Sequence, residues 1–130
     1  MVVYLDTSIA VRAVLNVPER AAVRAWLDAS DTTIVSSRLL QTELVRVLRR
    51  EGRPATDAAP LLDRVGLVDI TRETHSVAES IERHVRTLDA LHLATALLLG
   101  SPLVVATHDQ TMAAVAGHLG MAVTDPVPAS

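Results

Sequence analysis

Five short apolar runs, each separated from the next by segments with helical spacing, set the tightest constraint on how this 130-residue chain can fold. The runs are Val2 to Leu5, Thr32 to Val35, Leu67 to Ile70, Leu103 to Ala106 and Met121 to Thr124, rich in the β-branched residues that suit a buried strand. Between them lie helical stretches. Ile9 to Leu15 follows the cap-forming Asp6-Thr7-Ser8, and Pro18 opens a second helix reaching about Ala29. Ser36-Ser37 reads as the cap of a helix ending near Glu51, where Gly52 and Pro54 stop it. Weaker helical spacing covers Thr56 to Val65, and stronger spacing covers Glu73 to Arg86, Leu88 to Leu99 and Asp109 to Leu119. Short apolar strands alternating with helices predict an α/β fold, with a central parallel sheet covered by helices on both faces. No repeat, linker or second domain is visible. The whole chain, residues 1–130, therefore reads as one domain, with residues 125–130 as a flexible tail.

In a parallel sheet of this kind, ligands gather outside the C-terminal ends of the strands. Three aspartates fall near such ends or at helix starts. Asp6 follows the first strand, Asp109 follows the fourth after Thr107-His108, and Asp89 opens the helix that runs to Leu99. Each has an ordinary explanation, because aspartate is a favoured N-cap and suits the positive end of a helix dipole. Glu43 does not fit that explanation. It falls inside an apolar stripe of Leu39, Leu40, Leu44, Val47 and Leu48, where a carboxylate is costly unless it is paired or metal-bound. The alternative is a buried ion pair with an arginine, Arg46 or one from another helix. Asp89 and His92 are the strongly polar side chains of an otherwise apolar helix and share one face, which makes His92 a candidate supporting residue for the acids.

If the four acids converge, their repulsion is considerable: two carboxylates ~5 Å apart repel by about 3 kcal/mol at an effective dielectric of ~20. A cation would relieve it, and a ligand set made only of oxygens suits magnesium or manganese. Composition narrows the choice further. All 12 basic residues are arginine, so any mechanism that needs a lysine is excluded, including those of receiver domains and haloacid-dehalogenase phosphatases. There is no cysteine, hence no disulfide and no thiolate metal site. The net charge of -3 argues against a simple electrostatic grip on nucleic acid, and with Tyr4 and Trp26 as the whole aromatic complement no base-stacking platform can be built. The N-terminus lacks a charged leader, and the greasy stretch Ala90 to Leu99 falls short of the ~20 residues of a membrane span, so a cytoplasmic location is expected.

Four stretches taken together resemble the PIN-domain nucleases, specifically the VapC toxins of toxin–antitoxin pairs. They are Val3-Tyr-Leu-Asp-Thr-Ser8, Thr42-Glu-Leu44, Leu88-Asp-Ala-Leu-His-Leu-Ala-Thr-Ala96 and Thr107-His-Asp-Gln-Thr-Met112, and they span nearly the whole chain. The resemblance implies a PIN-like three-layer α/β sandwich. It also implies metal-dependent endoribonuclease activity, with Asp6, Glu43, Asp89 and Asp109 as catalytic metal ligands for Mg2+ or Mn2+. Thr7, Ser8, His92 and Thr107 would support them. Structured RNA such as tRNA or rRNA is the implied substrate, a VapB-like antitoxin the implied partner, and a homodimer the common assembly. The alternative is a catalytically silent PIN-like module that binds RNA or protein. Arg12, Arg46 and Arg86, each close in sequence or helical phase to an acid, are candidate RNA contacts. Ala22, Val23, Trp26 and Leu27 share one helix stripe, which serves either the core or, by resemblance, an antitoxin or dimer face.

Overall fold

The strand Val2–Leu5 (β1) sits in the middle of a five-stranded, fully parallel sheet, flanked by Thr33–Ser37 (β2) and Val104–Ala106 (β4). Val65–Val68 (β3) and Ala122–Thr124 (β5) form the two edges, giving the order β3-β2-β1-β4-β5. The computed structural model describes residues 1–29 and 31–129; the end of the segment read above as a tail, Ser130, lies outside them. Seven α-helices are described: Thr7–Val14 (α1), Arg20–Leu27 (α2), Leu39–Arg50 (α3), Ala59–Leu62 (α4), Arg72–Glu79 (α5), Thr87–Leu99 (α6) and Gln110–His118 (α7). Among the described residues, no helix is long and apolar enough to cross a membrane.

Side-chain alternation along β1 divides the core into two. Val3 and Leu5 point to one face and join Ile9 and Ala13 of α1, Val23 and Leu27 of α2, and Leu40, Leu44 and Leu48 of α3. Tyr4 points to the other face and joins Val105, Leu93 of α6, and Met112 and Val115 of α7. The three leucines of α3 are fully buried at i, i+4 and i+8, each contributing roughly 1.5–3 kcal/mol by leaving water. This stripe fixes the roll of α3, and with it the direction of Glu43. Trp26 is half-buried against the first core, beside the fully buried Val23 and Leu27 of the same stripe. Val127 also packs on that core.

Three local expectations are corrected. Ser36 and Ser37 belong to β2: Ser36 Oγ donates to the Leu5 carbonyl at 2.7 Å, and Ser37 Oγ accepts from Leu39 N–H at 3.0 Å, so Ser37 still serves the start of α3. The third strand begins at Val65, two residues before the expected Leu67, because Val65 pairs with Ile34 and is itself buried. The helix expected from Glu73 to Arg86 is capped by Thr71 and ends at Glu79. Beyond it, Ile81 and Val85 turn inward onto the second core, so tertiary packing outweighs helix propensity there. The non-helical segment that results delivers Arg86 at the entrance to α6, in extended backbone.

After β1 the chain adds β2 and β3 to one side, then crosses back to place β4 on the other. The boundary between β1 and β4 is therefore the topological switch point of the sheet, where a crevice opens at the strand ends.

Candidate active site

Asp6 leaves β1 at that switch point. It occupies the N-cap position of α1, yet its side chain makes no cap hydrogen bond. Its Oδ2 instead accepts from Ser8 Oγ at 2.6 Å and from Thr107 Oγ1 at 2.8 Å, and the residue is only 4% exposed. The same two hydroxyls tie the strand ends together: Ser8 Oγ accepts the His108 N–H at 2.9 Å, and Thr107 Oγ1 accepts the Asp109 N–H at 3.1 Å. Asp6 is thus held by neutral donors with no arginine on it among the described residues, a poor arrangement for a structural cap and a good one for an anion kept available.

Glu43 reaches the site from the flank of the α3 stripe. Its Oε1 accepts from Thr7 Oγ1 at 2.9 Å and lies 2.6 Å from His92 Nε2. The ion pair with Arg46 that the sequence left open is not formed; the partner is His92, which is completely buried. On the far side of that ring, Nδ1 lies 2.7 Å from Tyr4 Oη, which also accepts the Ser37 N–H at 3.1 Å. Burial pushes the Tyr4 phenol above its ordinary range, so it keeps its proton to donate. The network is satisfied by a neutral imidazole that accepts from Tyr4 at Nδ1 and donates to Glu43 from Nε2. Burial alone would raise the Glu43 pKa, but the hydrogen bonds from His92 and the Thr7 hydroxyl outweigh it, and the carboxyl is held below its usual range. Tyr4 was not singled out from the sequence. The available signal was its place on the strand that ends in Asp6, on the face opposite Val3 and Leu5.

The other two acids are arranged differently. Asp89, in the first turn of α6, is 6% exposed. Burial pushes its pKa up and the charges of Asp6 and Asp109 push it further, against the pull of Arg86. Arg86 Nε donates to Asp89 Oδ2 at 2.7 Å, and an Nη donates to Asp109 Oδ2 at 3.2 Å, from a side chain 75% exposed. Asp109 alone of the three aspartates makes the expected cap, its Oδ1 accepting the Met112 N–H at 2.9 Å. The donor set, oxygen-only and mutually repelling, fits a hard divalent cation. With Arg86 spanning two of the acids, no three acidic or histidine side chains close on one point among the described residues.

Comparison with known proteins bears on the family. The PIN-domain family model matches residues 3–118. The ribonuclease VapC46 of Mycobacterium tuberculosis is 36% identical over 127 residues, covering 95% of this chain and 97% of that one. VapC47 of the same species is 30% identical over 131 residues, covering 95% and 96%. The chain belongs to the PIN-domain family, among the VapC ribonucleases. The PIN fold itself recurs in VapBC2 of Rickettsia felis, solved bound to a promoter DNA fragment (TM-score 0.75, 16% identity, 96% and 98% of the two chains). It recurs also in Mycobacterium tuberculosis VapC20, described as a toxin that cleaves the sarcin–ricin loop (TM-score 0.72, 17% identity, 86% and 93%).

In this PIN chain the four recognisable stretches are linked pairwise: Ser8 and Thr107 hold Asp6, Thr107 also meets the Asp109 N–H, Thr7 and His92 hold Glu43, and Arg86 ties Asp89 to Asp109. The candidate RNA contacts separate. Arg86 stands over the acids. Arg12 is committed to Glu19 at 3.3 Å and to the Ser8 carbonyl at 2.7 Å. Arg46 points to solvent from the exposed side of α3.

Proposed function

We propose that this VapC-family chain is a metal-dependent endoribonuclease, the toxin of a toxin–antitoxin pair, with Asp6, Glu43, Asp89 and Asp109 holding Mg2+ or Mn2+. The observation that carries this reading is the switch point of the sheet bordered by acids, two of which, Asp89 and Asp109, are bridged by Arg86. When bound, the ion supplies an activated water and stabilises charge developing on the phosphoryl group. The chain's own residues set the geometry. Ser8 and Thr107 aim Asp6, while Thr7 and His92 aim Glu43. Arg86, on a largely exposed arm, can turn from the acids to the phosphate of an RNA strand laid across them.

Solved neighbours extend the reading to partners and substrate. Several are toxin–antitoxin complexes, including one from Klebsiella pneumoniae with a TM-score of 0.73 at 18% identity, and this supports a VapB-like antitoxin as partner. The activity in VapC20's description makes structured tRNA or rRNA the class to test first. The decisive experiment compares cleavage of total RNA by purified protein in Mn2+, in Mg2+ and in chelator, alongside Asp6→Asn. Cleavage should require a metal and fall about 100-fold or more in the variant. A folded wild-type protein that binds RNA but never cuts it would support the silent-module alternative instead.

A further inference from the structure

The chain is acidic overall, and several of its arginines are committed within the fold: Arg12 to Glu19, Arg53 to Asp57, Arg64 to Asp28, and Arg86 to Asp89 and Asp109. α3 breaks this habit. Arg46, Arg49 and Arg50 are all exposed and have no acidic partner or side-chain hydrogen bond among the described residues; together they line a cleft of about 430 Å³. Like charges three and four apart on one helix repel. The C-terminal end of the helix dipole offsets this for Arg49 and Arg50, which stand in the last turn, but not for Arg46 in the body of the helix.

Helical phase ties the cleft to the acids. At about 100° per residue, Arg50 lies only about 20° around the axis from Glu43, and Arg46 about 60°, so the two continue the edge of α3 that carries Glu43. They follow it by roughly 4.5 and 10.5 Å along the axis, since each residue rises 1.5 Å. α3 leaves β2 at the strand ends where the acids gather and runs away from them, with its roll fixed by Leu40, Leu44 and Leu48. A polyanion crossing the acid cluster therefore meets a cationic strip on the same rigid helix. We infer that Arg46, Arg49 and Arg50 form a backbone-binding track for the single-stranded RNA that flanks the scissile phosphate. The occupant follows from continuity with the acids and from the chemistry of the strip: three forked, permanently charged donors match the phosphates that repeat along an RNA backbone. This assignment rests on the ribonuclease reading above and supplies the electrostatic grip that the net charge withholds.

The test is the salt dependence of binding, measured in chelator by fluorescence anisotropy on a labelled single-stranded RNA of mixed sequence. The triple variant R46Q/R49Q/R50Q is compared with wild type and with R20Q/R72Q, which removes charge elsewhere; circular dichroism confirms folding. Each lost phosphate contact lowers the slope of log K against log salt by about 0.7, so the triple variant should lose about 2 from its slope and bind about 10-fold more weakly, while R20Q/R72Q matches wild type. An unchanged slope overturns the track. So does unaltered RNA binding accompanied by loss of binding to poly-glutamate, which would assign the strip to an acidic protein partner. Cleavage of the same RNA in Mn2+ by wild type is scored separately. Its absence would count against the ribonuclease reading, while the slope still judges the arginines.

Discussion

Glu43 and Asp89 border the same crevice, yet ionise under opposite pressures. Glu43 is aimed by a chain of buried donors, Ser37 N–H to Tyr4, Tyr4 to His92 and His92 to Glu43, and its carboxyl is held below the usual range. Asp89 is more deeply buried, repelled by Asp6 and Asp109, and pushed above the usual range; its counter-charge comes from an arm standing mostly in solvent. One side of the site is finished by the core. The other is completed by a cation that can leave. The difference shows where the fold has stabilised a charge in advance and where it has left one to be neutralised from outside.

The largest effect should be on cleavage, and it should be shared. Glu43→Gln and Asp89→Asn each lose about 100-fold or more, since each removes a charged ligand while keeping its size. Their stabilities should diverge. A lowered folded-state pKa means that Glu43 contributes stability above its ordinary value of ~4.3, lost as pH falls through the lower folded value. A raised one means that ionised Asp89 costs stability, with the cost absent below ~3.9 and complete above the raised value. In chelator at neutral pH, Asp89→Asn should therefore melt a few degrees above wild type and Glu43→Gln below it, with both gaps closing in acid. Shifts of the same sign in the two variants would abolish the contrast.

A smaller effect probes the buried side alone. Tyr4→Phe removes one oxygen and leaves the Ser37 N–H and His92 Nδ1 without their partner, at a cost of roughly 1–3 kcal/mol. Melting should drop by several degrees and cleavage by about 10-fold, with a matching loss of Mn2+ affinity, because Glu43 is no longer held. Undiminished affinity would mean that Tyr4 merely fills space. On the exposed side, Arg86→Gln should tighten Mn2+ binding several-fold in calorimetry while slowing cleavage, since the acids lose a competing cation and the RNA loses a contact. Equal or weaker metal binding would show that Arg86 does not compete with the ion. The smallest change is expected for Asp109→Asn, whose amide oxygen can still cap α7, so stability should move by no more than about 0.5 kcal/mol.

What could be read in advance divides along the same physical line. β1, β2, β4 and β5 were legible because each is a short apolar run between helix signals. β3 was displaced because Gly66 interrupts its pattern, so its start is set by pairing with Ile34 and not by its own residues. The end of α5 was missed because only the packing of Ile81 and Val85 shows why the chain turns there. Among the acids, the odd position of Glu43 in an apolar stripe was visible at once, whereas its partner was not. A histidine 49 residues away, on a helix that packs in the other core, is brought to it only by the assembled fold, and no local spacing encodes that. Asp6 gave a mixed signal. Its place at a strand end marked it as a candidate, but its local context is that of a cap, and only a hydroxyl 101 residues on shows that its side chain is held elsewhere.

That far hydroxyl has a consequence for the order of events at the ribosome. Thr107 holds Asp6 across 101 positions, and Asp109 comes two residues later still. As synthesis proceeds from the N-terminus at roughly 5–20 residues per second, β1, β2 and β3 can pair while β4 is not yet made. A nascent chain in that state has the first of its acids without the last and without the strand that aims the first. The crevice exists only after the fourth strand slots in beside β1. Cutting capacity should therefore appear only once that strand is in place, and products of translation interrupted before Asp109 should be inert however well the preceding segment folds.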